Sequence, residues 1–262
     1  MTRLRVLISS MVLGWLVAGC RPNADPTLVT RATASSGDMK VELLSKKPLA
    51  VGLNRLSYRV TKGGQAITQA HIEQKPLAKM SSMEHRCPEV SPAQDADGDG
   101  LFQGVVIFNM PSGEDSWSLD LDVTPSGGSA AAVLTFDGLT VADSSDAKTL
   151  PVGTETYLVT LSFAKGPEVG VNDVTVSVHK PQDAMAMAYV PVTDLTLALT
   201  PEMPSMGHGT SGNVDPVHAG NGLYDGKLNF TMSGDWRVTL KATAPGGEVL
   251  TGTSGLQFSY TL

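Results

Sequence analysis

The chain of 262 residues carries 26 acidic against 19 basic side chains, a formal net charge of −7, which argues against nucleic acid as a partner. Hydrophobic residues make up 41% and aromatics 5%, enough at this length to fill more than one globular core. Two cysteines in so long a chain exclude a disulfide-stapled scaffold.

Residues 1–19 read as a targeting segment: Arg3 and Arg5 precede a mostly apolar run at 6–17, which ends in Val17-Ala18-Gly19-Cys20. This looks like a bacterial lipoprotein signal. The resemblance implies cleavage before Cys20, lipid on its sulfur and a mature chain held on a membrane by that anchor. The run is shorter than the ~20 apolar residues of a membrane span. Arg21, in place of Asp, implies the outer membrane facing the periplasm under enterobacterial-type sorting. Lipidation of Cys20 leaves Cys87 without a partner in an oxidising compartment, either packed as a small hydrophobe or serving as a metal ligand near His85. Residues 20–38, rich in Ala, Ser, Thr and Pro with no apolar period, are expected to form a flexible tether.

From Met39 onward, short alternating runs rich in Val, Leu, Thr and Tyr lie between Gly, Pro, Asn and Asp clusters, the pattern of β-strands. The first set occupies 40–44, 56–60, 105–108, 118–123 and 133–136; the second 157–161, 174–178, 195–199, 228–230, 236–240 and 257–260. The polar stretch at 143–146 divides them. The expected fold class is all-β, with two tandem immunoglobulin-like sandwiches at 39–146 and 147–262.

The two halves share a spelling. Met80-Ser81-Ser82-Met83-Glu84-His85 returns as Met203-Pro204-Ser205-Met206-Gly207-His208, and a Met-x-x-Met-x-His string should arise in this composition only ~0.01 times by chance. Gly100-Leu101-Phe102 matches Gly222-Leu223-Tyr224, Phe108-Asn109-Met110 matches Phe230-Thr231-Met232, and Trp117 and Trp236 follow at unequal distances. Upstream, 49–52 pairs with 150–153. That pairing implies extra residues in the second half before its Met-His string, among them His179, Met185 and Met187.

With Met185-Ala186-Met187, the Met206-Gly207-His208-Gly209 loop, Gly222-Leu223-Tyr224, Gly226 and Trp236, the stretch 173–240 resembles the FixH/YtkA-like domains. The resemblance implies a small β-sandwich of bacterial envelope proteins associated with copper handling and cytochrome oxidase maturation. The first half departs from it, with Met83-Glu84-His85-Arg86-Cys87 in place of Met-Gly-His-Gly.

Thioethers are neutral soft donors and select Cu(I), and an imidazole beside them adds affinity. The expected ligands are therefore Met80, Met83, His85 and Cys87 in the first half and Met203, Met206 and His208 in the second, with Met110 and Met232 as further sulfurs at strand ends. In a straight strand Met83 and His85 would share a face and Met80 would point away, so joint binding needs a bent loop. The competing reading of these methionines is core filling. His218, on a Gly- and Asn-rich loop, has no partner in the first half. Asp95, Asp97 and Asp99 with Gly100 spell part of a calcium loop, but its twelfth position is Val106, and Glu89 is the carboxylate left to close it. No catalytic motif occurs, so no enzyme is expected. The leading expectation is a copper-binding envelope lipoprotein that buffers Cu(I) or hands it to another envelope metalloprotein. The alternative is a metal-free or calcium-stabilised interaction module.

Overall fold

The structure, a computed structural model, describes residues 27–262 apart from 81, 82, 114, 115, 128, 129 and 184. Cys20 and the targeting segment lie outside the described residues. Among the described residues every regular element is a strand, and no helix is long and apolar enough to cross a membrane.

The first half contains β1 (Val29–Ser36), β2 (Met39–Ser45), β3 (Gly52–Lys62), β4 (Gln65–Ile67), β5 (Ala70–Lys79), β6 (Glu84–Arg86), β7 (Glu89–Val90), β8 (Phe102–Phe108), β9 (Ser116–Pro125) and β10 (Ala132–Leu139). The second contains β11 (Ala147–Val152), β12 (Glu155–Phe163), β13 (Gly170–Pro181), β14 (Tyr189–Pro191), β15 (Thr196–Met203), β16 (His208–Gly209), β17 (Val214–Gly220), β18 (Leu223–Phe230), β19 (Asp235–Thr243) and β20 (Leu256–Thr261). One sheet of each half runs β1-β2-β3-β8-β7 and β11-β12-β13-β18-β17, with β4 and β14 added to β3 and β13. The facing sheets run β6-β5-β9-β10 and β16-β15-β19-β20. The strand order repeats without exception, and among the described residues no sheet crosses from one half to the other. These are two tandem β-sandwiches.

Alternation builds each core. Along β19 the side chains of Trp236, Val238, Leu240 and Ala242 are buried while those between them are not, as expected for a sheet with one covered face. Trp117, Phe102, Phe108 and Phe136 fill the first core, and Trp236, Tyr224, Phe230 and Phe258 the second.

Two expectations are corrected. Residues 29–36, read as tether, form β1 and pair with β2 from Val29↔Ser45 to Ser36↔Met39; only Ala34 of this edge strand is buried, so its sequence carries little apolar signal. The pairing of 49–52 with 150–153 is also wrong. Gly153 lies between β11 and β12, where the first half has Gly37 between β1 and β2. The counterpart of Gly52 is Gly170, and both open their strands at positive φ, 103° and 110°. Asn54 Nδ2 donates to the carbonyls of Ala50 and Gly52, and Asn172 Nδ2 donates to those of Glu168 and Gly170. The extra residues of the second half lie instead in the β13–β14 connection at 182–188, where the β3–β4 hairpin has Gly63-Gly64 alone. Met185 and Met187 belong to that loop, whereas His179 sits within β13.

The halves touch. Val105, Ile107 and Leu158 form a small buried cluster across the junction, flanked by Leu53, Val90, Ala147 and Leu223. Arg55 Nη2 donates to Thr175 Oγ1 at 2.9 Å, and Asn109 Nδ2 to Tyr189 Oη at 3.1 Å.

Candidate metal centres in two equivalent hairpins

The Met-His strings close equivalent hairpins, β5–β6 and β15–β16. In the first, Ala78 lies opposite His85 and also opposite Trp117 on the far side, so one row across the sheet reads His85, Ala78, Trp117. In the second, Met203 lies opposite His208. Directly opposed residues share a face. The structural counterpart of Met203 is therefore Ala78, and the first methionines of the two strings are not equivalent.

The geometry of Met80 also departs from the straight-strand expectation. Its N–H donates to the Met83 carbonyl at 2.9 Å, which continues the pairing of Ala78 with His85 and Lys79 with Glu84. Met80 thus opposes Met83, and with period-2 alternation both share the face of His85. Met83 is 51% exposed and Met206 61%. Burying a methionine yields roughly 1.5–3 kcal/mol, so neither is filling a core. Met203 is, at 3% exposure, with its Cε where a side chain on Gly234 would stand.

Each imidazole is set in the same way. His85 Nδ1 faces the Arg86 carbonyl at 3.2 Å, and His208 Nδ1 faces the Gly209 carbonyl at 3.1 Å. With the proton on Nδ1, this contact leaves Nε2 as the lone pair, the arrangement that orients a metal-ligating histidine. His85 Nε2 lies 2.8 Å from Met110 Sδ; His208 Nε2 has no hydrogen-bond partner among the described residues. Trp117 packs edge-on to His85 with ring centres 5.7 Å apart, and Trp236 to His208 at 6.0 Å.

The buried indoles tie the methionines of the strand ends into this frame. A buried indole N–H needs an acceptor; Trp117 Nε1 finds the Met110 carbonyl at 3.2 Å and Trp236 Nε1 the Met232 carbonyl at 3.0 Å. The unequal Met-to-Trp spacings in sequence hide one shared bond. Beside His208 an open cleft is lined by Met203, Pro204, Gly207 and the Glu202–Arg237 ion pair.

The donors suit a soft ion. First-row metal bonds of about 2.0 Å to imidazole and about 2.3 Å to sulfur place two donors roughly 3.5 Å apart at a tetrahedral angle. An ion held between His85 and Met110 would therefore need to spread them by less than about 1 Å, within the freedom of a three-torsion side chain.

The other expected residues fall elsewhere. Cys87 is buried in the first core and opens to a different cleft, away from the His85–Met110 pair; burial, reinforced by Glu89, pushes its thiol pKa up. His218 packs against Tyr224 at 5.1 Å. In the acidic loop, Asp97 Oδ1 accepts from the N–H groups of Asp99 and Leu101 and Oδ2 from Gln103, while Gln69 occupies Asp95 Oδ1. Glu89 does not reach this loop but accepts from Ser91. The acidic residues serve as a self-bonded turn, and among the described residues no three His, Cys, Asp or Glu side chains converge.

The YtkA-like family matches this sequence twice, over residues 33–114 and 152–241, more than half the chain. The chain belongs to the YtkA-like family. Both YtkA-like matches span a Met-His hairpin and a strand end bearing Met110 or Met232, so the first half is a member in its own right. No curated protein matches. Among solved structures, the Escherichia coli adhesin FdeC is similar at 19% identity, with a TM-score of 0.26, over 86% of this chain and 64% of that one.

Proposed function

We propose that this YtkA-like protein is a copper-binding envelope lipoprotein that holds Cu(I) at its two hairpins and buffers it or passes it to another envelope metalloprotein, with no chemistry beyond ligand exchange. The observation that carries this reading is the pair His85 Nε2 and Met110 Sδ, 2.8 Å apart, at the hairpin that also bears the exposed Met83. It is supported by the same imidazole–carbonyl and indole–carbonyl bonds around His208 and Met232. Neutral sulfur and nitrogen ligands hold Cu(I) without a fixed charge, and exposed thioethers at a hairpin tip suit exchange with a partner's ligands. Cys20 supplies the membrane anchor in this reading, with the protein on the periplasmic face of the outer membrane.

Metal analysis and competitive Cu(I) titration of the chain from residue 21 test it. Paired loss of one equivalent in His85→Ala with Met110→Leu, and of another in His208→Ala with Met206→Leu, is the expected result. Unchanged stoichiometry in both variants would leave the metal-free interaction module as the better account.

A further inference from the structure

The β13–β14 loop at 182–188 is an addition to the repeated fold, and it reaches the first half. Arg86 N donates to the Ala186 carbonyl at 3.1 Å, and Ala186 holds a left-handed φ of 52°, a conformation that costs an alanine roughly 1 kcal/mol. Asp183 Oδ1 fixes the loop by accepting from the N–H groups of Met185 and Met187. Between this loop and the first sandwich lies a cleft of about 270 Å³ lined by Cys87 and Glu89 on one side and His179, Met187 and Tyr189 on the other.

His179 is 3% exposed, and its Nδ1 is one of two buried side-chain polar atoms without a hydrogen-bond partner among the described residues. The backbone of Asn221, which lines the same cleft, favours a proton on the ring; with that proton on Nε2, Nδ1 is a bare lone pair. Burial lowers the imidazole pKa to about 4, so the ring is a neutral donor near neutral pH. An unpaired buried polar atom is costly, ~1–3 kcal/mol, and calls for an occupant. Cys87 and Met187, which line the same cleft, carry sulfurs that are poor hydrogen-bonding groups and good soft-metal ligands.

We propose that this cleft is a third metal site, in which Cys87 Sγ, His179 Nδ1 and Met187 Sδ take one Cu(I) ion from both halves at once. Among the described residues no three His, Cys, Asp or Glu side chains converge, so the proposed third donor is the thioether of the added loop, Met187, which lines the same cleft. Binding releases the thiol proton to solvent and leaves the oxidation state of the ion unchanged. The ion then clamps the two sandwiches together, which neither hairpin site does. The identity of the ion rests on the copper reading above; the site itself does not.

Competitive Cu(I) titration of the full chain in detergent, carrying Cys20→Ser, separates the two ideas. With the hairpins disabled by His85→Ala, Met110→Leu, His208→Ala and Met206→Leu, one equivalent should remain. Adding His179→Leu should weaken it at least 100-fold, and adding Met187→Leu, in a partly exposed loop, at least tenfold. Conversely, His179→Leu alone should leave the two hairpin equivalents in place. Absence of a residual equivalent, or one insensitive to both His179→Leu and Met187→Leu, would overturn the third site. A wild-type chain binding a single equivalent lost with His179→Leu would uphold it and sink the hairpin reading.

Discussion

The two hairpins place the same imidazole against the same indole but distribute their sulfur differently. In the first, Met110 Sδ is docked on His85 Nε2, and Met80 opposes Met83 at the tip. In the second, Met203 is locked in the core opposite His208, while Met206 and Met232 stand in solvent. A repeated spelling therefore fixes the imidazole and the tip sulfur, whereas the first sulfur of the string serves the fold in one half and the rim in the other. The first site is the more preorganised, and the second the more open.

The largest effect expected from this difference is on stability. Met203→Ala should cost about 2–5 kcal/mol, the usual loss for a buried methionine, with midpoint and m-value read from urea unfolding. Met80→Ala, at the partly exposed tip, should stay within ~0.5 kcal/mol. Equal losses in the two variants would restore the sequence equivalence that the hairpin register denies.

A second asymmetry lies in β13, where His179 occupies the position of Thr61 in β3 by register from Gly170 and Gly52. Burial depresses its pKa from 6.5 to about 4, so the unfolded chain takes up a proton that the folded one refuses. Stability of the metal-free protein is thus full above pH 6.5 and falls as pH drops toward 4, by up to about 3 kcal/mol from this group. Glu89, whose pKa burial raises, acts with the opposite sign in the carboxylate range. The comparison that isolates the imidazole is the pH 7 to pH 4 change in wild type minus that in His179→Leu; no difference between them would remove the buried neutral histidine.

Next in size are the tip sulfurs. Met83→Leu and Met206→Leu keep volume and should shift stability by less than ~0.5 kcal/mol, yet each should weaken Cu(I) binding at its own hairpin about tenfold, roughly 1.4 kcal/mol. Unchanged affinity in both would show that exposure of these methionines has another cause.

The sheets and the sites were legible to different degrees. Runs such as 118–123 and 236–240 alternate cleanly because one face of β9 and β19 is covered. The ten-residue strand β5 carries no clean strand signal because Gln74 and Pro76 are buried on the same face as Ile72 and Ala78, breaking the apolar pattern. Gln74 is tolerated there since its Nε2 donates to the Val90 and Val105 carbonyls. His85 and His208 could be paired by spelling. The mismatch of Met80 with Met203 could not, because residues 79–84 separate Ala78 from His85 while only 204–207 separate Met203 from His208. The cleft between the halves had a signal in the unpaired Cys87 and the second-half residues His179 and Met187, but only packing of one sandwich on the other brings them to one place.

The smallest expected effect concerns the acidic turn, which has no counterpart in the second half. Asp97 accepts three hydrogen bonds within its own loop, from Asp99 N, Leu101 N and Gln103 Nε2, so its carboxylate is already used in shaping the chain before β8. Exposed bonds of this kind contribute modestly, and Asp97→Ala should cost about 1 kcal/mol. A calcium ion would have to displace all three donors and find further carboxylates, yet Glu89 is held by Ser91 in the cleft between the halves. Thermal unfolding of wild type and Asp97→Ala should therefore be indifferent to millimolar calcium. A calcium-dependent rise in the wild-type midpoint that Asp97→Ala abolishes would mean that the loop opens to take the ion, and would reinstate a calcium site in the first half alone.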